Sequence, residues 1–256
     1  MIEFLTELSI LAGEESLRYF GKLKDNDIEG KMTGKDLVSI ADKAVENLIV
    51  RKISEKFPDH DIFGEETGHA GKKSEYCWII DPIDGTQSFV KHHPYYGVSI
   101  ALYKNGKGYA GAVNAPALGR LFTAESGKGA FENGSPIKVS TCSALDEAAC
   151  ATGFSLLRFN KVEDPLEKFV KILPRLRDIK RCGSAALDLS LTAAGVYDGY
   201  WEFDLKLYDV AAGVLIAQEA GAEVRDYYGG DGYPSKGIVV SNPVLLPQLL
   251  EYTSKY

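Results

Sequence analysis

Asp81 and Asp84 stand three residues apart in the segment WIIDPIDGTQSF, residues 78–89. Two carboxylates held that close repel one another unless protons, hydrogen bonds or a cation neutralise them. Gly85 and Thr86 follow at once, offering backbone N–H groups and a hydroxyl at what reads as a helix start. Carboxylates beside an anion-binding turn point to a metal ion and a phosphate together. Further acidic signals lie elsewhere: Glu65 and Glu66 after Phe63-Gly64, Asp42 at the head of one helical pattern, Asp209 at the head of another. Each has a simpler explanation by itself. Asp209 is a good helix N-cap, and Asp42 suits the positive end of a helix. A Glu-Glu pair in a loop is normally solvated, and Asp-Gly is ordinary turn chemistry. Only the set, spread over strand ends and helix starts, argues for convergence on one cleft.

The elements that must position these groups are read from periodicity. Trp78, Ile79 and Ile80 mark the end of a buried strand, and Pro82, with no N–H to donate, is expected to stop it. Phe4, Leu8, Leu11, Leu17 and Phe20 recur at helical spacing, with Gly21 as the stop. A polar loop over 22–36 follows, and then a second amphipathic helix through Val45, Leu48, Ile49 and Ile53, closed by Phe57-Pro58. Strands over 96–104 and 108–113 flank Asn105-Gly106, a strong hairpin signal. Another strand covers 119–124, and 127–136 is rich in turns. The second half alternates strand and helix. Strands are expected over 151–154, 178–182, 200–203 and 238–241, and helices over 166–173, 185–194, 210–220 and 243–252. Ser184 and Asp209 are the expected caps of two of these helices. A seam near 139–145 divides the chain into 1–140, an α+β half with most of the acidic signals, and 141–256, an α/β half. Sheets with helices in both halves make a layered α/β or α+β protein.

With 256 residues, 45% of them hydrophobic and 25% charged, the chain reads as an ordinary soluble globular protein. A net charge of -7 argues against general nucleic-acid binding, which needs a basic face. Four cysteines without a CxxC pair suggest neither a zinc framework nor disulfides and fit a reducing cytoplasm. The acidic N-terminus is not that of a signal peptide, and no apolar run approaches a membrane span.

The chain resembles the magnesium-dependent inositol monophosphatase family of sugar-phosphate phosphatases, over nearly its whole length. The resemblance rests on WIIDPIDGTQSF, on GEE at residues 64–66 and on DLVSIAD at 36–42. It extends to GSAALDL at 183–189 and WEFDLKLYDVAAG at 201–213. It implies a layered αβαβα sandwich with the site between the halves. It also implies that Glu65 and Asp81 hold a first Mg²⁺ with the carbonyl of Ile83, while Asp81, Asp84 and Asp209 hold a second. A third, weaker ion is implied near Glu65. Thr86 and Asp42 would activate the attacking water, and the N–H groups of Gly85 and Thr86 would hold the phosphate. Glu202 and the loop Gly183, Ser184 and Ala185 would contact the alcohol half of the substrate. Taken as a cap alone, Ser184 needs no such role. His92 and His93 are expected at an exposed rim, and His60 and His69 carry no signal.

Three departures bear on substrate choice rather than on catalysis. Gln87-Ser88 stands where the family commonly has any residue followed by asparagine, Tyr208 where tryptophan is common, and Ser39 where threonine is common. The implied activity is hydrolysis of a small phosphorylated polyol or sugar to inorganic phosphate, inositol 1-phosphate first, in a lithium-sensitive homodimer. Fructose 1,6-bisphosphate and histidinol phosphate are the nearest alternatives. A chain of this length leaves little room for the insertions of a nucleotide-phosphate branch. A rival of another class keeps the fold as a binding partner of RNA-processing or transcription machinery.

Overall fold

The computed structural model describes residues 1–30, 37–154 and 163–254. Residues 31–36, the end of the loop expected over 22–36 and, at Asp36, the first residue of a motif, lie outside them. Helix α1 (Ile2–Tyr19) is followed by the short antiparallel pair β1 (Ile28–Gly30) and β2 (Leu37–Ser39), and then by α2 (Ile40–Lys56). Leu5, Leu8, Ala12 and Ser16 form the buried stripe of α1, while Leu11 and Leu17 face solvent. The expected stripe through Leu11 is therefore rotated. Small residues at 9, 12, 13 and 16 let the helix lie close on the sheet, where Asn114 Nδ2 donates to Ser9 O at 2.8 Å. In α2 the expected face holds, with Val45, Ile49 and Ile53 fully buried. Its N-cap is Ser39, whose hydroxyl accepts from Ala41 N at 3.2 Å.

An eight-stranded sheet follows. It is built from β3 (Asp61–Gly64), β4 (Gly68–His69) and β5 (Tyr76–Asp84), which α3 (Thr86–Val90) succeeds. The remaining strands are β6 (Gly97–Lys104), β7 (Lys107–Ala115), β8 (Arg120–Glu125), β9 (Ala130–Glu132) and β10 (Ser135–Ile137). The order is β10-β9-β8-β7-β6-β5-β3-β4, antiparallel except for the parallel pair β3–β5. The β6–β7 hairpin turns at Asn105-Gly106, both with positive φ, as the sequence predicts. Pro82 does not end β5. Asp81 pairs with Ser99 and Asp84 with Gly97, so three steps on β5 oppose two on β6. That is a β-bulge, a place where a residue without an N–H is tolerated.

The chain then enters β11 (Ala149–Thr152), α4 (Glu163–Ile172), β12 (Asp178–Lys180), α5 (Ala185–Ala193) and β13 (Gly199–Glu202). It finishes with α6 (Leu207–Glu219), β14 (Glu223–Arg225), β15 (Ile238–Ser241) and α7 (Leu246–Ser254). These strands form a second sheet in the order β12-β11-β13-β15-β14. α7 begins three residues later than expected, because Asn242 Oδ1 accepts from Val244 N and Leu245 N and builds a turn first.

Two facts of packing create the layers. Ile62, Trp78 and Ile80 face α1 and α2, while Ile79 on the opposite face of the same sheet joins α5 and α6 in another core. α5 and α6 also cover Tyr200, Val224 and Val240 of the second sheet, whose far face packs on α4 and α7. The result is an αβαβα sandwich, with α5 and α6 as its middle layer.

Candidate metal and phosphate site

The bulge in β5 is the local device that builds the site. By adding one residue between Asp81 and Asp84 it changes the aim of the second carboxylate, which simple alternation would have sent to the other face. Asp209, from the first turn of α6, meets both. Oxygen atoms of Asp81, Asp84 and Asp209 lie within 4.8 Å of one another. Were all three ionised with nothing between them, each pair would repel by at least ~3 kcal/mol at an effective dielectric near 20. A proton or a cation must relieve this.

The carboxyl groups respond accordingly. Burial, followed by the charges of Glu65, Asp84 and Asp209, holds Asp81 well above the usual carboxylate range, and Asp81 shares a side-chain hydrogen bond with Glu65. Burial likewise pushes Asp84 up to about 7, although the Ser184 hydroxyl and the Ala186 N–H pull the other way. Those donors lie 2.7 and 2.6 Å from Asp84 Oδ2. Asp209 is raised by burial and then by Asp84, against the pull of the Lys206 N–H. Hard oxygen donors in a crowded, negative setting suit a small divalent cation of the magnesium kind.

Asp209 is not the N-cap of its helix. α6 starts at Leu207, three residues earlier than expected, with Lys206 as the cap residue. Asp209 is its third residue and accepts from Lys206 N at 2.6 Å, as an acidic group does in a capping box. Its capping duty therefore uses one oxygen and leaves the carboxylate in the cluster. Asp42 stands at the same position in α2. Its Oδ2 accepts from Ser39 N at 2.8 Å and Ser39 Oγ at 2.7 Å, and its Oδ1 accepts from Thr86 Oγ1 at 3.4 Å. Burial outweighs these bonds and pushes Asp42 up to about 7.

Thr86 Oγ1 also lies 3.2 Å from the carbonyl of Ile83, which retains a second lone pair. Gly85 precedes α3 with φ +97, and a side chain there would meet Gly183 O at 3.1 Å and Tyr95 O at 3.2 Å. Glycine at 85 thus permits both the left-handed turn and the approach of the 183–185 loop. Ser184 caps α5 as expected, accepting from Leu187 N at 3.3 Å, and its hydroxyl also donates to Asp84. Ala185 opens that helix. Glu202 is 7% exposed, accepts from Tyr200 OH at 2.7 Å, and its charge reaches Asp84 and Asp209.

One positioning residue escaped the sequence reading. Glu46, buried in α2 one turn after Asp42, accepts from Glu66 N at 3.0 Å and Thr67 N at 2.7 Å. It braces the turn that presents Glu65, whose own N–H bonds to Ile80 O at 3.1 Å. A polar residue at i+4 on an otherwise apolar helix face was the available signal. His92 and His93 are exposed, as expected. His60 accepts from Trp78 Nε1 at 3.1 Å and stacks on Phe57 and Tyr76, a packing role.

A sequence model of the inositol monophosphatase family matches residues 1–256. The chain is 36% identical to the fructose-1,6-bisphosphatase/inositol-1-monophosphatase of Aquifex aeolicus, over 98% of this chain and 95% of that protein. It is 40% identical to the Nus factor SuhB of Vibrio cholerae, over 97% and 95%. The crystal structure of the extragenic suppressor protein suhB of Bartonella henselae superposes with a TM-score of 0.93 at 34% identity, over 99% and 98% of the two chains.

Proposed function

The chain belongs to the inositol monophosphatase family, and on that premise we propose that it is a Mg²⁺-dependent phosphomonoesterase acting on inositol 1-phosphate or a similar small polyol or sugar phosphate. The observation that carries the reading is the meeting of Asp81, Asp84 and Asp209 within 4.8 Å, beside Thr86 and Asp42. Glu65, Asp81 and the Ile83 carbonyl would hold one Mg²⁺, and Asp81, Asp84 and Asp209 a second, with a third near Glu65. Bound there, the ions would neutralise charge on the phosphoryl group and on its leaving oxygen.

The chain's own groups supply the rest. In the first turn of a helix, the N–H groups of Gly85 and Thr86 have no intrahelical acceptor and would hold phosphate oxygens. Thr86 Oγ1 would accept a proton from the attacking water while passing its own to Asp42 Oδ1. Its hydroxyl is too weak an acid to act without that carboxylate, whose burial raises its proton affinity. Glu202, with Gly183, Ser184 and Ala185, would accept and orient the hydroxyls of the alcohol half. The same reading extends to lithium sensitivity, a homodimer and a cytoplasmic location.

Two other readings compete. One is a different substrate on the same fold, fructose 1,6-bisphosphate or histidinol phosphate, suggested by Gln87-Ser88 and by the double name of the Aquifex relative. The other is a binding partner of transcription or RNA-processing machinery, suggested by relatives named Nus factor. The retained carboxylates favour catalysis. Phosphate release should be measured across inositol, fructose, histidinol and nucleotide phosphates, with Mg²⁺ and with EDTA. Mg²⁺-dependent release from a polyol or sugar phosphate is expected. No turnover of any phosphomonoester would favour the binder.

A further inference from the structure

A second cluster of possible ligands lies at the other end of the strands that carry the acidic site. One carboxylate oxygen of Asp61, a ring nitrogen of His69 and Sγ of Cys77 all lie within 4.8 Å of one another. The register explains the meeting. Asp61 and Cys77 are direct partners on the parallel strands β3 and β5, and His69 returns on β4 opposite Phe63. Phe63 shares a face with Asp61, and the His69 ring lies edge-on to it at 5.7 Å. Glu65 and Asp81 stand four residues further along the same two segments, roughly 13 Å away at ~3.3 Å per residue.

Asp61 and His69 are placed for an incoming ion, and Cys77 offers its sulfur beside them. Asp61 is 5% exposed, and its Oδ1 is held from outside the trio by Ile62 N at 2.9 Å and Lys72 N at 3.0 Å. Such support orients a carboxylate and leaves its other oxygen outside these backbone bonds. That oxygen, Oδ2, faces His69 Nε2 at 2.6 Å. The Cys77 sulfur has only a long contact, 3.7 Å, to its neighbour's carbonyl. The His69 side chain is 57% exposed, so an ion and a completing water can enter from solvent. Lys72 turns its ammonium away, onto Pro58 O at 2.6 Å.

We propose that Asp61, His69 and Cys77 form a site for a thiophilic divalent ion of the zinc class. A tetrahedral ion about 2.0–2.3 Å from each donor sets them roughly 3.5 Å apart, so the exposed imidazole must turn to open its 2.6 Å contact with Asp61. Binding deprotonates the thiol: the S–H bond breaks, a sulfur–metal bond forms, and the proton leaves to solvent. The mixed S, N, O donor set separates this site chemically from the all-oxygen aspartate cluster, which favours harder ions. The proposal stands independently of the phosphatase reading.

Cobalt is the probe. The full chain, loaded with Co²⁺ in excess Mg²⁺, should show a near-ultraviolet sulfur-to-cobalt charge-transfer band. Cys77→Ser should abolish the band and His69→Ala should weaken Co²⁺ binding by at least about tenfold. Phosphate release with Mg²⁺ alone should be unchanged in both variants. Zn²⁺ should raise the melting temperature of the parent chain but not of Cys77→Ser. A parent chain without the band, or a band that survives in Cys77→Ser, overturns the site. Because His69 is exposed, its alanine variant keeps the test open if replacement of Cys77 disturbs the sheet.

Discussion

Ser184 Oγ donates a 2.7 Å hydrogen bond to Asp84 Oδ2, tying the cap of α5 to the bulged strand β5 across 100 residues of sequence. The same hydroxyl accepts from Leu187 N. Ser184→Ala therefore loses two duties at once. Removing the cap should cost about 1 kcal/mol of stability. Losing a group that orients a ligand should weaken Mg²⁺ activation by about tenfold or more. Thermal unfolding reads the first effect, and a Mg²⁺ titration of phosphate release reads the second. A lowered melting temperature with an unaltered Mg²⁺ requirement would reduce Ser184 to a helix cap.

Asp209→Asn separates charge from capping. An asparagine side-chain oxygen can still accept from Lys206 N, so the helix start should survive. Turnover should nevertheless fall by about a hundredfold or more, as should that of Asp84→Asn, because each removes a carboxylate from the cluster. Steady-state rates beside circular dichroism decide it. Near-normal activity in either variant contradicts the two-ion assignment.

Gly153→Ala tests the placement of Glu202. A methyl group at 153 would fall within the van der Waals radius of the Glu202 carboxylate, which is packed at 7% exposure against the Tyr200 hydroxyl. The carboxylate must swing away. A displacement of about 1 Å in a positioning group can cost up to about 10²-fold in kcat/KM. The loss should appear mainly in KM and in the ranking of substrates. Unchanged values for both would show that Glu202 does not orient the alcohol.

The raised carboxyl of Asp84 predicts competition between protons and Mg²⁺. Burial puts this group at about 7, and only its ionised form ligates. Below that pH the Mg²⁺ needed for half-maximal activity should rise, by about tenfold per pH unit for each proton displaced. Above it the requirement should level off. Excess Mg²⁺ should recover activity on the acid side. A Mg²⁺ requirement that stays flat through this range would mean that no proton is displaced on binding.

Much of this arrangement was legible in the residue order, because the signals are local. Asn105-Gly106 favours the positive-φ turn of a hairpin, and Ser184 before an apolar run is a preferred helix cap. Hydrophobicity alone points the face of α1 toward Leu11 and Leu17, whereas contact with the sheet selects the small residues Ala12, Gly13 and Ser16. From the sequence alone, Pro82 ends the strand. A missing donor is equally at home in a bulge, and only the partner strand distinguishes the two. Glu46 carries little local signal, because its acceptors serve the backbone of a turn 20 residues away.

By itself the sequence determined the chemistry available: hard carboxylate oxygens, a threonine, a glycine turn, and the family motifs that hold them in order. Side-chain identity and short-range spacing are sufficient for that. The tertiary structure alone decided how the groups meet. A one-residue bulge turned Asp84 toward Asp81, and the docking of α6 brought Asp209 to them. Burial then raised their proton affinity, because crowded charges removed from water need a proton or a cation. It also decided that Asp61, His69 and Cys77, scattered over 17 residues with no motif among them, share one corner of the sheet. Strand register sets such neighbours, and register belongs to the pairing of strands rather than to either strand alone.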